Sequence, residues 1–364
     1  MNLKIMYQLR EEIATQMPSL NKWQRENLAM FALGVVKAEH CVQSKVARAL
    51  RRVGKRASIE RRMQRFMDND HLSLENAQEE WSRWVLKAWG GQEVILLVDE
   101  THLGENMRAM VVGIAYEGRC IPLAWQCYQA ETYPEEGQVK LITQLLQRIK
   151  TNLPETICPL IQADRGIGTS PDLIREVMAL GWRYLFRVQG SSKMIEEDGR
   201  IYALGQVIGP GEVWEGSGTV FKKRGQIAAH VRVIWDENQK EPWSLVTNDP
   251  TLTGREYALR NWQEQGFRDL KSGGWQWNHS HVWMPDHADR LLLVLTLAYA
   301  WVLSLGSYFI HTGHAAPLRT ERDGRQRRRL SVFREGLEHL DQMIRRRHIV
   351  CLKLLFVPDK RLGP

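Results

Sequence analysis

EVILLVDE, residues 93–100, is the stretch on which the reading of the fold turns. A short, almost unbroken apolar run that ends in acids reads as a strand buried on both faces, with Asp99 and Glu100 emerging at its C-terminal end. CPLIQADRG (158–166) repeats the pattern and ends in Asp164. Between the two lie MRAMVVGIAYEG (107–118) and RCIPLAWQCY (119–128), which read as strands joined at Glu117-Gly118, and EEGQVKLITQLLQRIKTNL (135–153), an amphipathic helix. After them come SPDLIREVMALG (170–181) and WRYLFRVQG (182–190). The first of these has Ser170 as cap, Pro171 in the first turn and Gly181 at the end, which predicts a helix; the second predicts a strand.

The order β-β-β-α-β-α-β predicts an α/β fold, a mixed sheet with helices on its faces, arranged as an RNase H-like core. Residues 191–250 break the rhythm with Gly and short alternating runs such as GTVFKKRG and AAHVRVIWDE, and predict a β-rich insertion. Helical pattern resumes at about 253. The expected organisation is an all-α region over 1–88, a first part of the core over 89–190, the insertion over 191–250, a helical completion of the core over 251–312, and a basic tail with a final helix over 313–364. Residues 291–310, LLLVLTLAYAWVLSLGSYFI, are nearly long enough to span a bilayer, but they stand alone and carry Thr, Ser and Gly. They read as a helix buried in a large core.

The N-terminal region contains CVQSKVARALRRVGKRASIERRMQRF (41–66), in which Lys45, Arg48, Arg51, Arg52, Lys55, Arg56, Arg61, Arg62 and Arg65 face a single acid, Glu60. Gly54 separates two short helical patterns, and Ser58 is placed to cap the second. Helix, tight turn and helix with a basic surface fits a helix-turn-helix DNA reader; a solvated basic face on a helical bundle fits as well. The whole chain carries a net charge of +8 with a pI near 9.3, which suits a polyanionic partner and equally a basic enzyme without one. Its 25% charged and 43% apolar residues exclude global disorder. The five cysteines, Cys41, Cys120, Cys127, Cys158 and Cys351, form no Cys-x-x-Cys pair, which argues against structural zinc and a disulfide framework and for a reducing compartment. The tail arginines Arg319, Arg322, Arg325, Arg327, Arg328 and Arg329 read as a solvated basic linker or as one that touches DNA.

Carboxylates at the C-terminal ends of neighbouring strands converge at one edge of a sheet. Two of them close together repel unless they share a cation, and Mg²⁺ favours such hard oxygen ligands. A third carboxylate comes from YALRNWQEQGFRDLK (257–271). Its Tyr257, Arg260, Glu264 and Lys271, spaced Tyr-x2-Arg-x3-Glu-x6-Lys, fall near one face of a helix. Glu264 can join Asp99 and Asp164, while Arg260 and Lys271 can hold phosphate oxygens as a fork and as a point charge. An amphipathic helix with i,i+4 ion pairs accounts for the same spacing. Glu100, His102 and Glu105 follow Asp99 as neighbours of the site or as loop residues. His279 and His281 form a His-x-His pair with no further ligand at zinc-like spacing, and so read as a loop or a DNA-facing turn.

The Tyr-Arg-Glu-Lys spacing, following Asp99 and Asp164, resembles the DDE transposases of insertion sequence family 4, over roughly residues 93–310. The resemblance implies that Asp99, Asp164 and Glu264 bind catalytic Mg²⁺, for which Mn²⁺ can substitute. It implies that Tyr257 and Arg260 hold phosphate near the transposon end and that Lys271 binds the DNA backbone. The Asp164-Arg165 pair is similar to the family's second-aspartate motif and adds Arg165 to the DNA-binding set. PWSLVTNDP (242–250) resembles the strand of the insertion that bears a base-stacking Trp, which singles out Trp243 over Trp214 and Trp235. A core role for Trp243 is the competing reading. Lys45, Arg48, Arg51, Arg52 and Lys55 complete the expected DNA-binding residues. The implied partners are double-stranded DNA, as terminal inverted repeats and target, and a second copy of the chain on that DNA, with no membrane and a cytoplasmic, nucleoid-associated location in a prokaryote. Metal-dependent hydrolysis at the element end followed by strand transfer is the implied reaction. A catalytically inactive DNA-binding descendant and an RNase H-like nuclease that does not join strands are the alternatives.

Overall fold

The computed structural model describes residues 3–221, 225–317, 319–320, 326–346 and 353–357. Within them, five helices precede the first strand: α1 (Leu3–Gln16), α2 (Lys22–Ala38), α3 (Gln43–Ala49), α4 (Arg56–Met67) and α5 (Leu74–Ala88). Asn21 opens α2 with a capping box, its side chain accepting from Gln24 N while the Gln24 side chain accepts from Asn21 N. The helix α4 begins earlier than its cap signal suggests. Lys55 occupies the N-cap without a side-chain hydrogen bond, and Ser58 lies inside the first turn. Burial of Ile59, Met63, Phe66 and Met67 on one face of α4 outweighs the capping preference.

The core follows as β1 (Ile95–His102), β2 (Met107–Tyr116), β3 (Arg119–Gln129), α6 (Gly137–Lys150), β4 (Leu160–Ala163), the single turn α7 (Arg165–Gly168), α8 (Pro171–Ala179) and β5 (Arg183–Val188). Ser170 caps α8 through Leu173 N with Pro171 in its first turn. The next strands are β6 (Lys193–Ile195), β7 (Ile201–Ala203), β8 (Val213–Val220), β9 (Ile227–Ile234) and β10 (Trp243–Thr247). They extend the sheet of the core. Its order is β3-β2-β1-β4-β5-β10-β9-β8-β6-β7, with β1, β4 and β5 parallel and β10 antiparallel to β5. The chain closes with α9 (Asn261–Leu270), α10 (Pro285–His311), the short strands β11 (Arg319–Thr320) and β12 (Gln326–Arg327), and α11 (Val332–Arg346).

Alternation along β1 divides the interior. Leu96 and Val98 face the larger core, which α5, α6 and α8 help to build, whereas Ile95 and Leu97 face a smaller cluster with Leu160, Leu185, Leu245 and Tyr257. By the same alternation Asp99 and Thr101 belong to the second face and Glu100 to the first. The apolar stretch 291–310 lies within α10, a helix long and apolar enough to cross a membrane, yet 94% of its most apolar window is buried in the protein. This helix lies against the edge strand β3, α2, α4 and α11.

The crossing of α10 and α11 depends on two glycines. A Cβ on Gly306 would stand 2.0 Å from Val332 O, and one on Gly336 would stand 2.0 Å from Val302 O. Backbone cannot yield as a flexible side chain does. Gly306→Ala is therefore expected to destabilise the protein by roughly 1–3 kcal/mol, the usual range for overpacking. Thermal melting checks this, and an unchanged Tm would show that the helices do not need so close an approach.

Candidate active site

The register of the parallel strands sets the site. Val98 of β1 pairs with Ala163 of β4, so Asp164, just past the end of β4, lies level with Asp99. Asp99 is not at the end of its strand as expected but within β1, whose pairing with β2 continues to His102. Each carboxylate has one oxygen tied to backbone. Asp99 Oδ1 accepts from Glu100 N at 2.9 Å, and Asp164 Oδ1 caps α7 by accepting from Gly166 N and Ile167 N at 3.0 and 3.1 Å. The other oxygens turn to a common partner, the guanidinium of Arg260. Its Nη2 lies 2.9 Å from Asp99 Oδ2 and 3.7 Å from Asp164 Oδ2, and its Nη1 lies 2.6 Å from Glu264 Oε1.

Arg260 and Glu264 arrive on different kinds of turn. Residues Arg255–Arg260 form a 3₁₀ turn and α9 begins at Asn261, so the 257–271 segment is not one continuous α-helix. Lys271 lies just past the end of α9, outside helical geometry. This corrects the expectation of four side chains on one helical face. Tyr257 is buried in the smaller cluster, and Lys271 reaches back to donate to Thr101 Oγ1 on β1. The sheet dictates the break. Gln162 of β4 donates to Glu256 O and fixes the 3₁₀ turn, and Gln263 donates to Val111 O and fixes α9. Gly266 brings α9 against β3, where a Cβ would stand 2.9 Å from Cys120 O.

Burial governs the electrostatics. The Arg260 side chain is 8% exposed and that of Asp99 13%, whereas Glu264 is 60% exposed. Burial raises the Asp99 carboxyl; Arg260 pulls it back, and Asp164 and Glu264 push it up again, to about 7. Burial also opposes the charge of Arg260, but Asp99, Tyr257, Asp164 and Glu264 together outweigh it and hold the guanidinium firmly protonated. Burial lowers the Lys271 ammonium to about 8, against the pull of Asp99. Three carboxylates thus surround one cation, and its charge does not fully compensate Asp99. That donor set is the hard-oxygen kind suited to a divalent ion. As the side chains stand they close on the guanidinium, and among the described residues no group of His, Cys, Asp and Glu closes on a single metal position.

Beside this cluster opens a cavity of about 520 Å³ lined by Asp164, Arg165, Arg187, Trp243, Tyr257, Ala258, Arg260, Asn261 and Glu264. Trp243, at the start of β10, packs edge-on against Tyr257 with ring centroids 5.2 Å apart. Arg165 is at the rim, held by Glu241 at 2.7 Å, and Arg187 shares the same glutamate at 2.8 Å. Sequence reading missed Arg187. Its signal was the period-two alternation of WRYLFRVQG, which sets Arg183, Leu185 and Arg187 on one face of β5. Glu100 lies on the opposite face from Asp99, where it accepts from Arg108 and from the Tyr128 hydroxyl.

Lys45, Arg48, Arg51, Arg52 and Lys55 are brought together elsewhere, on α3 and its connection to α4. All five are exposed, and among the described residues none forms an ion pair. The segment is joined to the core by Cys41 N, which donates to Trp275 O. His279 and His281 are exposed and close no metal group. Arg328 of the tail pairs with the buried Glu117 at 3.1 Å, whereas Arg322, Arg325 and Cys351 lie outside the described residues. Cys41, Cys120, Cys127 and Cys158 are free thiols.

No curated protein compared with the chain matches it. The model of the transposase DDE domain family matches residues 90–301, which span Asp99, Asp164, Arg260, Glu264 and Lys271, and on that match over more than half its length the chain belongs to the DDE transposase family.

Proposed function

We propose that the protein is an insertion-sequence transposase of the family 4 kind, which hydrolyses phosphodiesters at the ends of its element and joins the freed 3′-hydroxyl to target DNA. The observation that carries this reading is the convergence of Asp99, Asp164 and Glu264 on one buried guanidinium at one end of the sheet. Asp99, Asp164 and Glu264 would hold divalent metal, Mg²⁺ or Mn²⁺. When bound, such an ion supplies positive charge at the phosphoryl oxygens and acidifies the attacking hydroxyl or water.

The chain's own residues do the positioning. The backbone bonds to Asp99 Oδ1 and Asp164 Oδ1 leave each second oxygen facing the site. Arg260 is placed to exchange carboxylate for phosphate oxygens as a bidentate donor. Lys271 supplies a point charge from the far side of Asp99, and Tyr257 a hydroxyl on the cavity wall. Trp243 and Arg187 give that wall an aromatic face and a cation, a combination suited to an unstacked base and its phosphate. Arg165 is available to DNA on release from Glu241. The exposed cations Lys45, Arg48, Arg51, Arg52 and Lys55 would bind the duplex backbone near the element's terminal inverted repeat. Two ends must be held together for transposition, so a homodimer on DNA is the expected assembly.

The test is cleavage of a labelled element-end duplex in Mg²⁺ and in EDTA. Wild-type protein is expected to nick the duplex at the element boundary in Mg²⁺ only, and to join paired ends to a target plasmid. Binding to verified ends without cleavage would replace the proposal with a DNA-binding descendant. Cleavage without joining would replace it with a nuclease.

A further inference from the structure

Trp283 and Met284 are adjacent, and their exposures of 65% and 57% stand out in a protein that fully buries Trp81, Trp89, Trp125, Trp275, Trp277 and Trp301. Disorder does not explain this exposure, because the loop carrying them is fixed on every side. Trp277 is buried, Ser280 N donates to Trp277 O, and Val282 packs into an apolar recess with Met63 and Met67 of α4. The Gln129 side chain donates to Trp283 O at 3.0 Å, and Met284 O receives Ala288 N as α10 begins at Pro285. These bonds and contacts hold the backbone, and two large apolar side chains project from it into solvent.

The surroundings indicate the occupant. Gln129 ends β3 beside the end of β1 at His102, three residues beyond Asp99, since β2 pairs antiparallel with both. On its other side the loop abuts α3 and α4, and α3 and its connection to α4 carry the exposed Lys45, Arg48, Arg51, Arg52 and Lys55, which form no ion pair among the described residues. His279 and Lys45 both lie close enough to His40 to lower its pKa. A polyanion lying along those cations towards the carboxylates would cross the loop. A second copy of this basic chain would have to bring its own positive charge to the same place. We propose that Trp283 and Met284 form an apolar wedge that inserts into a DNA base step between the basic helices and the site, unstacking the duplex where it turns into the active site. The inference rests on the DNA-processing reading above and adds to it a second aromatic contact, on a different element from Trp243.

The experiment compares binding of the full-length chain to two 30-bp duplexes, one intact and one with a central single-nucleotide bulge, by fluorescence anisotropy at several salt concentrations. A wedge favours DNA already unstacked. Trp283→Ala is expected to bind the bulged duplex about tenfold more weakly than wild type, as loss of one base–aromatic stack implies. Trp283→Phe should restore most of that loss. The slope of affinity against salt should not change, because no phosphate contact is removed. Equal affinity of Trp283→Ala and wild type for the bulged duplex would overturn the wedge while leaving the DNA-processing reading intact. Dissociation of a DNA-free dimer by the same substitution, seen by light scattering, would overturn it in favour of a self-association surface. Failure of wild type to bind either duplex would instead overturn the reading on which the wedge rests.

Discussion

Glu264→Gln is expected to abolish Mg²⁺-dependent cleavage while leaving the fold and DNA binding intact. The side chain is 60% exposed and bonds to Arg260, so an amide of the same shape fits without strain. Arg260 keeps Asp99 and Asp164 as partners, so no buried charge is left alone. What disappears is the third anionic donor. If the three carboxylates jointly hold metal, losing one charge removes several kcal/mol of transition-state stabilisation, a rate loss of at least about a hundredfold. The measurement is single-turnover nicking of an element-end duplex, run beside a gel-shift titration and a melting curve. Binding within about twofold of wild type, with nicking lost, is the result that places the effect on chemistry and not on affinity. Undiminished nicking would remove Glu264 from the proposed active site.

Much of this site was legible in the sequence, and the residues explain why. Asp99 and Asp164 each end a short apolar run, so their convergence followed from pattern, although β1 runs on past Asp99 to His102 through its pairing with β2. Glu264 and Arg260 came from spacing, which an i,i+4 pair satisfies equally; their 2.6 Å ion pair is both that pair and part of the site. Long-range contacts were not legible. Period cannot tell a 3₁₀ turn from an α-helix when Gln162 on β4 decides the matter through Glu256 O. Nothing local in Asp164-Arg165 points to Glu241, seventy-odd positions away, which holds Arg165 at the rim. The strands of 191–250 read as β-rich, but their continuation of the core sheet depends on the pairing of β10 with β5, a non-local choice. The early start of α4, at Lys55 and not at Ser58, shows tertiary burial overriding a local cap.

Arg260→Ala is expected to destabilise the metal-free protein strongly and in a pH-dependent way, with Mg²⁺ restoring much of the loss. The guanidinium is the cation shared by three carboxylates, and removing one partner of a buried ion pair costs about 3–5 kcal/mol when the other stays charged. Asp99 need not stay charged, which fixes the pH dependence. In the wild-type fold its carboxyl is held at about 7, above its unfolded value. The folded chain therefore retains a proton that the unfolded chain has released. Stability from this group is fully present below the unfolded pKa and is lost as pH rises through about 7. Arg260 is the main cause opposing that rise, so removing it moves the folded pKa of Asp99 higher still and extends the loss into alkaline pH. The mutant should lie nearer to wild type at about pH 5 than at about pH 8 in EDTA, read as unfolding free energies in urea. A divalent ion binds the deprotonated carboxylates and stabilises only the folded chain, so it should raise the mutant most at alkaline pH. A mutant whose deficit is the same at both pH values and insensitive to Mg²⁺ would mean that Arg260 serves packing alone, and that the three carboxylates do not depend on a shared cation.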